Sequence, residues 1–202
     1  AGTSRHGGVL VVGGDDHSAK SSAVAHQSEH QFSAAAIPVL APADLQEVLD
    51  FGLHGWAMSR YSGCWVALKL AGEVAESSGT VEVDPARVAA RLPESFPLPP
   101  DGVSLRWPDP PLAQERRMQE YKVYAALAYA RANGLDRTVI DSPRARFGIL
   151  TCGKAYRDVL QALEYLGLDD AACRDLGIRV YKVGMTWPLE PQGIRAFARG
   201  LQ

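Results

Sequence analysis

Apolar positions in this chain fall into short blocks whose spacing switches between that of a strand and that of a helix. Val9 to Val12 is a continuous aliphatic run bounded by glycines, and Ile37 to Leu40 and Cys64 to Leu70 (CWVALKL) read the same way, the pattern of strands buried on both faces in a parallel sheet. Between the last two, Asp44 to Arg60 carries Leu45, Val48, Leu49, Leu53, Trp56 and Ala57 at intervals of three and four, which places one apolar stripe on a helix. Strand, helix and strand in that order predict a βαβ unit. Leu112 to Asn133 predicts a second long helix, with Gly134 as its C-cap. Strands are expected at Thr138 to Ile140, Phe147 to Thr151 and Arg179 to Val183, with helices over Lys154 to Leu166 and Gln192 to Leu201.

The blocks divide at a change in composition. Eight of the chain's 13 prolines lie between Pro85 and Pro111. Proline neither donates to a ladder nor sits inside a helix, so this stretch reads as a linker or wrapping arm. The expected architecture is α/β, two three-layer modules with mostly parallel sheets, over 1–84 and 112–202, joined by the proline-rich arm 85–111. The sequence opens on Ala1 and enters a buried-type strand within ten residues, which reads as a piece of something longer.

Composition narrows the class. With 202 residues, 47% of them hydrophobic, the chain can build a real core. Its 21 Lys+Arg against 23 Asp+Glu give a net charge of −2, so no overall field favours nucleic acid. No apolar run approaches the roughly 20 residues that span a bilayer, and the expectation is a cytoplasmic protein with no membrane partner. Cys64, Cys152 and Cys173 are far apart, which argues against a disulfide framework and against a self-contained zinc or iron-sulfur site. Cys64 and Cys152 are each expected to be a small buried apolar residue rather than a nucleophile. No metal is expected on these 202 residues.

The polar stretch Gly13 to His30 follows a strand, where open α/β sheets place ligands. Gly14 to Ser21 approaches a phosphate-cradling loop, but Ala19 stands where the second glycine is needed, and Asp15 and Asp16 would repel polyphosphate. His26 to His30 spells HxxEH, the inverted zinc-hydrolase pattern, in which two imidazoles one helical turn apart hold the metal and Glu29 activates water. A zinc hydrolase using His26, Glu29 and His30 is the competing enzyme class, and a structural or interaction module the third reading.

The same stretch carries a family resemblance. VLVVGGDDHSAKSS (Val9 to Ser22) followed by IPVLAPADLQE (Ile37 to Glu47) resembles the pyrimidine-binding domain of the thiamine-diphosphate-dependent 2-oxoacid:ferredoxin oxidoreductases, on the indolepyruvate branch. FGILTCGKAY (Phe147 to Tyr156) and VYKVGMTWPLEP (Val180 to Pro191) resemble the transketolase-C-terminal-like domain of that family. The resemblance implies a fragment of an enzyme that oxidatively decarboxylates an aryl 2-oxoacid such as indolepyruvate to an acyl-CoA and passes electrons to ferredoxin. It implies thiamine diphosphate, magnesium and an iron-sulfur cluster in the parent, with none bound to these residues alone. Its partners would be the other domains of the same enzyme, ferredoxin, coenzyme A and a second copy of the chain. The family's Gly-Asp-Gly magnesium motif is not in this sequence. What the resemblance assigns here is an active-site loop of Asp15, Asp16, His17, Ser21 and Ser22, expected to be weakly ordered without a neighbouring domain.

Overall fold

A computed structural model describes residues 2–20 and 22–202. Its first half builds β1 (Leu10–Asp15), α1 (Glu29–Ala34), β2 (Val39–Leu40), α2 (Leu45–Ser62), β3 (Val66–Ala71) and the single turn α3 (Gly72–Ala75). A long helical stretch follows the proline-rich arm as α4 (Pro111–Arg117), a π-turn (Met118–Lys122) and α5 (Val123–Ala132). The rest is β4 (Arg137–Ile140), β5 (Phe147–Cys152), α6 (Gly153–Tyr165), α7 (Asp170–Leu176), β6 (Ile178–Val183), β7 (Met185–Trp187) and α8 (Pro191–Ala198).

Two mixed sheets result. The first has the order β1-β3-β2-β7, with β1 and β2 parallel to β3 and β7 antiparallel to β2. Alternation along the strands decides what each face covers. Leu40, Val66 and Leu68 point to the side taken by α2 and α5, where Phe51, Met58, Ala126 and Tyr129 complete the main core. Val39 and Ala67, one residue out of phase, meet Phe32 of α1 on the other side. The second sheet, β4-β6-β5, pairs β5 parallel and β4 antiparallel to β6. Val180 and Ile140 face α6 and α7 through Leu163 and Cys173, while Tyr181 and Val183 face Phe197 of α8. Each sheet is therefore the middle of three layers, as the block pattern implies.

The helix ends follow their residues. Asp44 caps α2 by accepting from Glu47 N–H at 2.9 Å, and Glu47 reaches back to Ala43 N–H at 2.9 Å, a reciprocal capping box. Gly63 ends the helix in the left-handed region at φ 73°. The arm over 85–111 has no regular element and lies on the surface. It is tied down by Arg91 and Asn133, which exchange bonds of 2.8 and 2.9 Å, and by Leu105 N–H donating to Thr3 O at 2.8 Å.

Packing divides the chain differently from composition. The second module is expected to begin at residue 112, yet α5 belongs to the core of the first sheet and β7 adds to its edge. The pivot is Gly184, between β6 and β7. Its N–H donates to Asp136 Oδ1 at 2.7 Å and its carbonyl accepts from Ala41 N–H at 2.8 Å, so one residue ties both sheets together. A Cβ there would lie 2.4 Å from Leu135 O and 2.9 Å from Phe51 Cζ. Both neighbours are held in the core, so neither can give way easily.

Gly184→Ala is therefore expected to destabilise the protein by roughly 1–3 kcal/mol through overpacking. Gly14→Ala, where nothing lies within 4 Å, should stay within about 0.5 kcal/mol. Urea denaturation at unchanged m checks both, and equal midpoints for the two variants would remove Gly184 as the pivot.

Candidate functional site

The carboxyl ends of strands from both sheets converge. His17 follows β1, Ala41 and Pro42 follow β2, Lys69 and Ala71 close β3, and Cys152 closes β5 where α6 begins. Together with Glu73, Lys154 and Asp158 they line a cavity of about 280 Å³. Open α/β sheets place ligands in a crevice of this kind, outside the strand ends. Gly153 has φ 52°, and a Cβ there would meet nothing nearer than Pro42 O at 3.9 Å, which keeps this wall open.

Behind the cavity lies a buried charge cluster. Asp15, with a fully buried side chain, accepts from Ser28 N–H at 3.0 and 3.1 Å and lies 3.2 Å from His26 Nδ1. Lys69 Nζ is 3.5 Å from Asp15 and 2.8 Å from Glu29, whose other oxygen lies 3.2 Å from Thr186 Oγ1 of β7. Burial pushes Asp15 up, but the Ser28 N–H bond, Lys69 and His26 outweigh it and hold the carboxyl below its ordinary 3.8. Burial likewise pushes Glu29 up, and Lys69, Gln27 and Thr186 bring it below 4.5. One ammonium thus bridges two carboxylates brought from different elements, leaving the trio with one net negative charge.

The expected loop residues take unequal places. Asp15 is sealed inside the cluster, and His17 stands half-exposed at the cavity, 3.8 Å from Asp15. Asp16 organises the loop: its carboxylate accepts from Lys20 N–H and Ser22 N–H at 2.9 Å, and its carbonyl from Ala19 and His26 N–H. The segment expected to be weakly ordered therefore has a framework of its own. Ser22 is exposed, and Ser21 lies outside the described residues.

The HxxEH reading is corrected. Helix α1 begins at Glu29, so His26 lies before it, bridged to Asp16, and does not share a turn with His30. Glu29 is engaged by Lys69 rather than free to activate water. Among the described residues, the group close enough to share a cation is Asp15, His17 and Glu29, and Lys69 already stands against both of its carboxylates.

Cys152 corrects another expectation. It is exposed, at the cavity, although Cys64 is buried as expected and Cys173 is buried too. The protein around the thiol pushes its pKa up, Glu29 adds to this, and Lys69 and Lys182 oppose it. That favours the neutral thiol over the nucleophilic thiolate. Sequence reasoning missed Lys69, an isolated cation in an apolar strand (VALKLA). A lysine in a run otherwise buried on both faces was the available signal. It also missed Lys182, fully buried, which pairs with Glu47 and lies over the rings of Phe51 (5.0 Å) and Tyr156 (5.3 Å).

The lowered pKa values of Asp15 and Glu29 fix a sign. Their contribution to stability is present above the ordinary values and lost as pH falls through the lowered folded ones. Lys69→Met leaves two buried carboxylates without their cation, at an expected cost of about 3–5 kcal/mol. It should also make acid unfolding begin at a higher pH than in the parent. Circular dichroism from pH 7 to pH 2 checks this, and superimposable acid limbs would show that the ammonium does not hold the cluster.

Comparison with known proteins places these features. Residues 136–202 match the family described as Indolepyruvate ferredoxin oxidoreductase middle domain. The chain is 28% identical over 201 residues to indolepyruvate oxidoreductase subunit IorA of Methanothermobacter thermautotrophicus, covering 96% of this chain and 30% of that protein. IorA of Pyrococcus abyssi is 26% identical over 208 residues, again with 30% of its length covered. The chain thus spans about 30% of the length of the curated relatives it matches. A solved 2-oxoglutarate:ferredoxin oxidoreductase from Magnetococcus marinus shares the fold at a TM-score of 0.53 and 13% identity, over 96% of this chain and 40% of that one. No helix among the described residues is long and apolar enough to cross a membrane. The chain is thus similar along nearly its whole length to two IorA subunits, and its last third matches the middle domain of indolepyruvate ferredoxin oxidoreductases.

Proposed function

We propose that these 202 residues are the part of an indolepyruvate-type 2-oxoacid:ferredoxin oxidoreductase that shapes one wall of its active-site cleft. The observation that carries this reading is the convergence of β1, β2, β3 and β5 on one cavity. In this reading a cytoplasmic parent oxidises an aryl 2-oxoacid to an acyl-CoA, with thiamine diphosphate, iron-sulfur clusters and ferredoxin, and assembles as an oligomer. Residues 1–84 and 112–202 would be its distal pyrimidine-binding and transketolase-C-terminal-like parts, joined by the arm 85–111, with α5 and β7 of the second part packed onto the sheet of the first.

The residues here do not fit the magnesium diphosphate end of that cofactor. Asp15 and Glu29 are already engaged by Lys69, which would stand between them and a second cation, and a cavity of about 280 Å³ lies at the small end for a cofactor site. Their role in this reading is enclosure. The neutral Cys152 thiol, His17 and the Ala41-Pro42 turn would exclude water from one side of the substrate and fix its position. On this account the 202 residues alone do not turn over substrate.

Filling the cavity tests the reading. In the full-length enzyme, Cys152→Trp is expected to lower kcat/KM for indolepyruvate-dependent ferredoxin reduction by at least about tenfold, or 1.4 kcal/mol. Leu166→Trp, at a position 71% exposed, should leave it unchanged. Wild-type turnover with Cys152→Trp, in protein of normal thermal stability, would show that the substrate does not meet this cavity.

A further inference from the structure

The long helix that follows the arm changes its winding midway. Met118–Lys122 form a π-turn between α4 and α5, a rare geometry that is frequent at functional sites. The turn borders a second cavity, of about 330 Å³, lined by Gln114, Glu115, Arg117, Gln119 and Lys122, in which the Gln119 amide donates to Glu115 and the Gln114 amide to Asp109 O, each at 3.0 Å. Arg117 and Lys122 are only 8% and 4% exposed.

Charge accounting separates these two cations. Arg117 donates to Asp109 at 2.7 Å and lies 3.8 Å from Asp101, and Arg106 pairs with the same two carboxylates. Two guanidiniums and two carboxylates thus close one balanced network. Lys122 stands outside it. Its Nζ donates to Gly63 O at 3.3 Å, and among the described residues no carboxylate forms an ion pair with it. An ammonium has three protons to donate, and this one has a single long bond to a neutral acceptor. A buried charge left without a counter-charge is costly, and such exceptions call for a cause.

We propose that the cavity beside the π-turn binds a small oxyanion, a carboxylate or a phosphate group, with Lys122 as its principal charge and the second amide protons of Gln114 and Gln119 as neutral donors. Burial lowers the Lys122 pKa; Cys64 and Asp109 raise it, and Arg117 and Arg106 lower it. A bound anion supplies the missing counter-charge and holds the ammonium protonated. The π-turn turns Lys122 inward from the same helical stretch that carries Gln114 and Arg117.

Calorimetry on the 202-residue chain at low salt tests this, with inorganic phosphate and acetate as separate probes. Saturable one-to-one binding of at least one, with a dissociation constant in roughly the millimolar range or tighter, is expected. Lys122→Met should weaken it at least about tenfold, Lys122→Arg should retain part of it, and Lys154→Ala, beside the other cavity, should leave it unchanged. Phosphate alone would assign a phosphate group, acetate alone a carboxylate, and both an unselective oxyanion site. If Lys122→Met does not fold, the Lys122 Cε resonance of the parent protein serves instead, and should shift saturably with the binding anion. No saturable binding of either probe, binding undiminished in Lys122→Met, or an unmoved resonance would overturn the proposal.

Discussion

Everything that brings the two sheets into one site depends on the contact of two backbones at Gly184. Asp136 accepts from Gly184 and Met185 N–H through one oxygen, at 2.7 and 2.9 Å, and Gly184 O takes the Ala41 N–H. This is possible because no side chain intrudes between Leu135 O and the Phe51 ring. Once β7 is laid against β2, the end of β6 and the parallel β5 beside it are aimed at the ends of β2 and β3. The cavity at Cys152 is a consequence of that registration.

Charge reinforces the join on both sides of it. Lys182, two residues before the pivot, is buried against Glu47 of the α2 capping box, and Thr186, two residues after it, reaches Glu29 of the Lys69 cluster. Ion pairs of this kind add little net stability over an apolar core of the same volume. Removing one partner, however, strands the other in the interior. Their effect is therefore selective: arrangements of the two sheets that separate Lys182 from Glu47, or Glu29 from Thr186, leave buried polar groups unsatisfied. The apolar contacts favour burial in general, and these charges favour this registration.

What the sequence made legible follows from the range of the interactions concerned. Aliphatic runs and the three-four spacing of Leu45 to Ala57 report on burial through near neighbours, and β1, β3, α2 and α6 lie where those patterns put them. The three residues of β7 form a strand only because β2 offers an edge 148 positions earlier, Val39 opposite Trp187, and no local pattern encodes that. Helix α7 is a single capped segment, Asp169 to Gly177, too short for periodicity to show. The site divided in the same way. Asp15 and His17 were visible as a polar stretch after a strand, but Lys69 completes their cluster from β3, and its role appears only when β1 and β3 pair in register, Gly13 beside Lys69.

HxxEH shows the converse, a local pattern that tertiary structure overrides. The spacing of His26 and His30 has chemical meaning only on a continuous helix, and the helix cannot begin early enough. Asp16 accepts His26 N–H through its carbonyl, and Asp15 accepts Ser28 N–H through its carboxylate. The backbone from His26 to Ser28 is therefore committed to the β1 end before α1 starts. The residues that would have made a metal site instead fasten a loop around a lysine. The positive charge at the heart of the cluster is covalently part of the chain, so Asp15 and Glu29 share a cation held at a fixed place rather than one recruited from solution.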